Sequence, residues 1–166
     1  MNLNNGYEIE RKFLIEFPNI ELLKAQEGCS FAKLSQCYLN GGTRIRSIEK
    51  NGETKYIKTV KQHVSDIKRI ENESEITGKE FLDLLKNKKQ GTNIIEKTRY
   101  FIPFKNHTLE IDVFPFWNDR AFLEIELNDE NEEFFIPDYL KVIKEVTFDK
   151  RYRNSALAKE IITEEL

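Results

Sequence analysis

Histidine, cysteine, glycine and proline are scarce in this chain, and it has no excess of either charge. His63 and His107 are its only histidines. Both sit beside predicted turns, where a surface position is expected, and no Ser–His–Asp arrangement is in view. Cys29 and Cys37 are too few for a disulfide framework and lack metal-ligand spacing, so both read as small buried or partly buried residues. Seven glycines and four prolines leave no low-complexity linker, and no internal repeat is visible. Lys and Arg number 26 against 29 Asp and Glu. That near-cancellation argues against an electrostatic nucleic-acid binder, which carries a basic excess. No apolar run approaches a membrane span, and Met1–Gly6 has neither a charged nor an apolar leader segment. The expectation is a soluble cytoplasmic protein without nucleic-acid or membrane partners.

What remains is a chain of 166 residues, suited to one domain over 1–166 with a sizeable core. A third of its residues are charged, 33%, against a usual share of about 25%, so the placement of charge becomes the question.

Alternation and β-branched or aromatic content predict strands at 7–15, 36–48, 53–62, 67–76, 94–104, 107–114, 120–128 and 143–149. Asn51-Gly52 is a hairpin signal, because both residues accept positive φ, and Asn106-His107 reads as a second tight turn. Helical spacing predicts helices at Pro18–Glu27, Thr77–Lys88 and Asn154–Glu165, with a short turn at Pro137–Lys141. Thr77 and Glu80 have the spacing of a capping box. Lys86-Asn87-Lys88-Lys89 reads as a solvated helix end, where cations suit the dipole. Strands in meander order with a few helices give an α+β fold: an eight-stranded closed antiparallel β-barrel, whose closure removes exposed edges.

The strands sort their charges by face. Glu8, Glu10 and Lys12 alternate with Tyr7, Ile9, Arg11 and Phe13. Arg44 and Arg46 oppose Ile45. Arg69, Glu71, Glu73 and Glu75 share one face. Lys97 and Arg99 form a pair, as do Glu110 and Asp112, Glu124 and Glu126, and Glu145 and Thr147. For a single strand, such a face ordinarily meets water. Two features of the set point inward instead. The signs are sorted into acidic and basic pairs, whereas a solubilising surface intersperses them. The predicted helices also need apolar strand faces to cover, which could equally be covered by a second copy in a homodimer. Unpaired charge in a low-dielectric lumen costs several kcal/mol per ion, so such a lumen must be wet, cross-paired and built for a charged ligand. Carboxylates suit Mg²⁺ or Mn²⁺, and Arg and Lys suit phosphate oxygens. Together they suit a metal–polyphosphate and phosphoryl transfer.

These residues match a known pattern in order along the chain. It begins with ExExK, here Glu8-Ile9-Glu10-Arg11-Lys12. Arg44-Ile45-Arg46 follows, then Tyr56-Ile57-Lys58-Thr59-Val60-Lys61, Arg69-Ile70-Glu71-Asn72-Glu73-Ser74-Glu75-Ile76 and Lys97-Thr98-Arg99-Tyr100. Glu110-Ile111-Asp112-Val113-Phe114, Glu124-Ile125-Glu126-Leu127 and Glu145-Val146-Thr147, with Arg151-Tyr152 and Asn154, complete it. The chain resembles the CYTH family of triphosphate tunnel metalloenzymes over almost its whole length. The resemblance implies an eight-stranded tunnel that grips a triphosphate. It casts Glu8, Glu10 and Glu126 as metal ligands, with Glu124 near them. Lys12, Arg44, Arg46, Lys61, Lys97 and Arg99 become phosphate ligands, with Lys12 also acting in catalysis. Glu71, Glu73 and Asp112 become lumen acids that orient water or a second metal. Glu110, Glu75 and Glu145 either join them or balance nearby bases. The chain departs from the pattern at Lys58, where an apolar residue is usual. Thr59 and Lys61 share the inward parity, so Lys61 is assigned to the ligand unless a bulge exchanges the two lysines.

The implied activity is divalent-metal-dependent hydrolysis of a triphosphate. Inorganic triphosphate is preferred, because a small chain has little extra surface for a nucleoside or thiamine. An adenylyl cyclase or a thiamine triphosphatase on the same tunnel are alternatives, as is a nucleotide- or polyphosphate-binding module without turnover. Trp117 could stack on a base or thiazole ring at the mouth or pack a loop onto the barrel, the second being the expectation.

Overall fold

The computed structural model describes residues 5–65 and 67–166, so the leader reading of Met1–Gly6 falls largely outside it. Among these residues nine strands form one sheet: β1 (Asn5–Glu16), β2 (Ser30–Tyr38), β3 (Thr43–Lys50), β4 (Glu53–His63), β5 (Lys68–Ile76), β6 (Ile95–Phe104), β7 (His107–Val113), β8 (Arg120–Leu127) and β9 (Val142–Glu145). The order β5-β4-β3-β2-β6-β7-β8-β1 closes through a β5–β1 pairing into an eight-stranded antiparallel barrel. β1 makes closure possible by its length. One edge pairs with β8 from Ile9 to Glu16, and the other pairs with β5 from Asn5 to Ile9. The short β9 takes what is left of that second edge, opposite Phe13–Ile15.

The strand expected at 36–48 is two strands. Gly41 (φ 79°) and Gly42 (φ 77°) turn the chain between β2 and β3, and β2 begins at Ser30, six residues before the expected start. Positive φ there needs glycine, while the apolar Cys37-Tyr38-Leu39 run masks the turn in the sequence. Asn51 (φ 53°) and Gly52 (φ 79°) make the expected hairpin, and the other turn sits at Lys105-Asn106, one residue early. The helices among the described residues are short: α1 (Ile20–Lys24), α2 (Gly78–Leu85) and α3 (Asn154–Leu157). The capping box of α2 is complete: Glu80 N donates to Thr77 Oγ1 at 3.1 Å and Thr77 N to Glu80 Oε2 at 2.7 Å. The helix expected over 154–165 stops at Leu157, and 137–141 forms a turn only.

Apolar residues sit on both sides of the wall, in different places. Ile9, Phe13, Ile15, Ile102, Leu109, Ile111, Leu123 and Ile125 point outward. They are covered by Leu23 of α1 and by Phe134, Ile136, Tyr139 and Leu140 of the 128–141 segment. This covering segment is mostly loop. Phe81, Leu84 and Leu85 of α2 cover Cys37 and Ile45. At one end the inward face itself turns apolar. Leu14 follows Lys12, Phe122 precedes Glu124 and Ile95 precedes Lys97, and all three pack with Phe114, Trp117, Tyr152 and Leu157. Each burial of such a side chain stabilises by about 1.5–3 kcal/mol. The result is a barrel with an apolar floor and a charged lumen above it.

Candidate active site

The lumen holds a cavity of about 740 Å³. Its wall carries Glu8, Glu10, Lys12, Arg44, Arg46, Lys61, Glu71, Glu73, Lys97, Arg99, Glu124 and Glu126, so period-two alternation brings together residues from six strands. Lys61 lines the cavity and Lys58 does not, as parity requires. Glu110 also lines it, while Glu75 is exposed. Glu145 lies outside, paired in two hydrogen bonds to Arg11, so of the two readings it fits the balancing one.

Asp112 is placed differently from the other expected residues. Its side chain is wholly buried and does not form cavity wall. It accepts from Lys97 Nζ at 2.6 Å and from Arg99 Nε and Nη2 at 2.7 and 2.8 Å. Glu124 likewise sits among bases, 3.3 Å from Lys12 and 3.2 Å from Arg99. Burial would raise its pKa, but Lys12, Arg99 and Lys97 hold it well below the usual carboxylate range. Its partners are the basic group rather than Glu8 and Glu10.

The bases carry a positive surplus. Arg46 is bound by the neutral amide oxygen of Gln36 at 2.8 and 3.1 Å. Burial, with Arg44 and Arg99 close by, pushes its pKa down to about 9. Arg44 donates to Thr59 Oγ1 at 3.2 Å, and its buried Nε has no hydrogen-bond partner. Lys97 is pushed down to about 7 by burial, which the Asp112 charge only partly offsets.

The acids show the opposite surplus. Glu10 and Glu126 are directly opposite in the β1–β8 register. Burial, then Glu10, Glu71 and Glu73, raise Glu126. Glu8 is raised to about 10, chiefly by burial and by hydrogen bonding to Glu71, with Glu10 adding repulsion. Its buried Oε2 has no hydrogen-bond partner. Burial would raise Glu71 too, but the hydrogen bond with Glu8 and the charges of Lys61 and Arg69 outweigh it and hold it low. Lys61 Nζ lies 2.5 Å from Glu71 Oε1.

Sequence reasoning did not assign Arg69 to the site. Its guanidinium lies 2.7 Å from Glu10, 3.2 Å from Glu71 and 3.6 Å from Glu8. Its place on the face of Glu71 and Glu73 was the available signal. Among the described residues no three carboxylates are arranged as a finished metal site, since Arg69 stands among these. The donor set still fits a hard divalent cation. It offers carboxylate oxygens only, one of them orphaned, in mutual repulsion that such an ion would relieve. His63 lines the cavity mouth and is exposed. His107 is not a surface residue, for its side chain is buried against Glu132 at 2.9 Å. Trp117 packs as expected: its Nε1 donates to Ile162 O at 2.8 Å, and its ring lies 5.1 Å from Phe122.

A closed antiparallel barrel with sorted acids and bases on its inner wall defines a class of polyanion-binding tunnel proteins. Within that class, the CYTH domain matches residues 6–152, and the chain belongs to that family. An inorganic triphosphatase of Acetivibrio thermocellus is 35% identical over 162 residues, covering 93% of this chain and 94% of its own. One of Nitrosomonas europaea is 36% identical over 161 residues, covering 93% and 98%. A crystal structure of an inorganic triphosphatase superposes with a TM-score of 0.57 at 31% identity, covering 93% of this chain and 95% of that one.

Proposed function

We propose that this chain hydrolyses inorganic triphosphate to diphosphate and phosphate with the help of Mg²⁺ or Mn²⁺. The observation that carries the reading is a pair of buried polar atoms without hydrogen-bond partners in one cavity: Arg44 Nε, a donor that an anion would satisfy, and Glu8 Oε2, an acceptor that a cation would satisfy. A metal–polyphosphate supplies both. The identity of the two triphosphatases to this chain over nearly its whole length supports the choice of substrate.

Glu8, Glu10 and Glu126 would hold the cation, which neutralises phosphate oxygens and makes bound water a better nucleophile. Arg44, Arg46, Lys61, Lys97 and Arg99 bind the polyphosphate oxygens. Because these side chains are held in place before substrate arrives, little reorganisation is spent when charge builds on the leaving diphosphate. Lys12 lies between the acids and the bases, opposite Glu124 and one inward position from Glu10. It neutralises the bridging region, where charge develops as the P–O bond breaks. Glu71 and Glu73 orient water by accepting its protons in hydrogen bonds. Glu71 stays ionised for that task through Lys61 and Arg69. Asp112 acts through Lys97 and Arg99, which it positions, and Glu124 does the same for Lys12 and Arg99.

The test is phosphate release from inorganic triphosphate, ATP and thiamine triphosphate with each metal. Inorganic triphosphate is the expected best substrate. Glu10→Gln and Lys12→Ala are each expected to cost at least about a hundredfold in turnover, as loss of a charge acting on the transition state does. Release that survives Glu10→Gln undiminished would sink the metal assignment. Cyclic AMP as the chief product from ATP would replace hydrolysis with cyclisation.

A further inference from the structure

Arg69 is a base set among acids. Nη2 lies 2.7 Å from Glu10 Oε1 and 3.6 Å from Glu8 Oε2, and Nε lies 3.2 Å from Glu71 Oε1. It fills the space between carboxylates of β1 and β5. The backbone at its root is fixed, because Arg69 is register-paired with Glu8 on one side and His63 on the other. Only the side chain is free to leave.

A hard divalent cation takes carboxylate oxygens at about 2.0–2.6 Å. A guanidinium already hydrogen-bonded to Glu10 Oε1 blocks that approach, and two like charges within roughly 4 Å also repel strongly. The cation and Arg69 therefore exclude each other at these oxygens. Departure of Arg69 does not strand Glu71, because Lys61 Nζ holds the same Oε1 at 2.5 Å. What the departing guanidinium needs is another anion. Lys61, register-paired with Glu71 on the neighbouring strand, marks where the basic wall begins.

Resting on the reading of the lumen as a metal–triphosphate site, we propose that Arg69 is an internal counter-ion which the divalent cation displaces from Glu8 and Glu10, and whose guanidinium then turns onto the bound polyphosphate. Cation and polyphosphate are thereby coupled. The first removes Arg69 from the acids, the second receives it, and each raises the affinity for the other. Arg69 is a specificity-determining residue that favours the metal–polyphosphate pair over either component alone.

The test is Mn²⁺ binding to the full chain without phosphate, followed through the spin resonance of the free ion. Arg69→Gln is expected to bind Mn²⁺ at least about tenfold tighter than the wild type, since one competing charge is gone. Arg69→Lys keeps the charge and is expected to stay within about threefold of wild type. At saturating Mn²⁺, Arg69→Gln raises KM for triphosphate. Equal or weaker Mn²⁺ binding by a natively melting Arg69→Gln overturns the inference and leaves the metal reading standing. Mn²⁺ binding that is equal in wild type and Glu10→Gln overturns the metal reading and the inference with it. A second measurement needs no folded Gln variant. The Arg69 Nε resonance of the wild type, assigned by its loss in Arg69→Lys, is expected to shift on Mg²⁺ saturation, and a resonance that does not move refutes displacement.

Discussion

Asp112 lies directly beneath Lys97, its Oδ2 accepting from Nζ at 2.6 Å with both side chains wholly excluded from solvent. Arg99 shares the same carboxylate through two further hydrogen bonds. One buried anion therefore anchors two cations that face the cavity. Asp112→Asn preserves the shape and removes the charge. Breaking a buried pair from one side costs about 3–5 kcal/mol, and that loss is expected in urea unfolding. Saturating triphosphate, added with chelator to prevent turnover, is expected to recover much of it, because the ligand supplies the missing anion. A deficit unchanged by triphosphate would mean that Lys97 and Arg99 do not meet the ligand.

The same lysine makes binding depend on pH. Burial brings Lys97 down to about 7 in the free barrel, so above that pH it is largely neutral. A bound polyanion favours the charged form and raises the value. Between the two values, binding takes up a proton, and affinity falls as pH rises. Below about 7 both states carry the proton and this contribution is flat. Calorimetry in buffers of differing ionisation enthalpy is expected to find net proton uptake at pH 8. In Lys97→Met that uptake should fall by up to one proton, and an unchanged uptake would remove Lys97 as its source.

Glu145 offers the outside control. It pairs with Arg11 in a partly exposed position and accepts from Thr147 Oγ1 at 2.8 Å, while Lys12 N donates to the same hydroxyl. It is thus close to Lys12 in space but on the other side of the wall. Glu145→Gln is expected to cost under about 1 kcal/mol, as surface pairs do, and to leave turnover of triphosphate unchanged. A large loss of turnover with intact stability would make the Thr147 contact part of the machinery.

Alternation grouped the lumen residues, because strand parity is rigid: once the sorting of signs across strands turns Glu8 inward, Glu10, Lys12 and Leu14 must follow. It could not show that Leu14 belongs to a floor, which depends on Phe114 and Leu157 arriving from far along the chain. Nor could it separate Asp112 from Glu110, since both share a face but differ in depth: Glu110 reaches the cavity and Asp112 does not. Arg69 was hidden for a different reason. Only the closing β1–β5 pairing, which the sequence does not show, sets it opposite Glu8. The β2–β3 turn was missed because two glycines carry it within an otherwise strand-like run.

The floor also ties down the end of the chain. Trp117 packs edge-on against Phe114 and Phe122 at 5.4 and 5.1 Å, and its Nε1 donates to Ile162 O at 2.8 Å. Asn93 N donates to Ala158 O at 2.7 Å, and Arg120 Nη2 to Glu164 O at 2.6 Å. The segment after α3 has no regular structure, so these contacts stand in for helical hydrogen bonds. Trp117→Phe keeps an aromatic ring in the cluster and removes one donor. A net loss of about 1 kcal/mol is expected from that bond. Trp117→Ala opens the floor as well and is expected to cost about 3–5 kcal/mol. The two should differ in where they act. Hydrogen exchange in Trp117→Phe is expected to rise at residues 159–164 and stay unchanged along β1 and β8, because the barrel wall does not depend on the tail. Trp117→Ala should raise exchange at both, since Phe122 of β8 loses the ring it packs against. Equal protection of 159–164 in wild type and Trp117→Phe would show that the Asn93 and Arg120 contacts hold the tail without the indole.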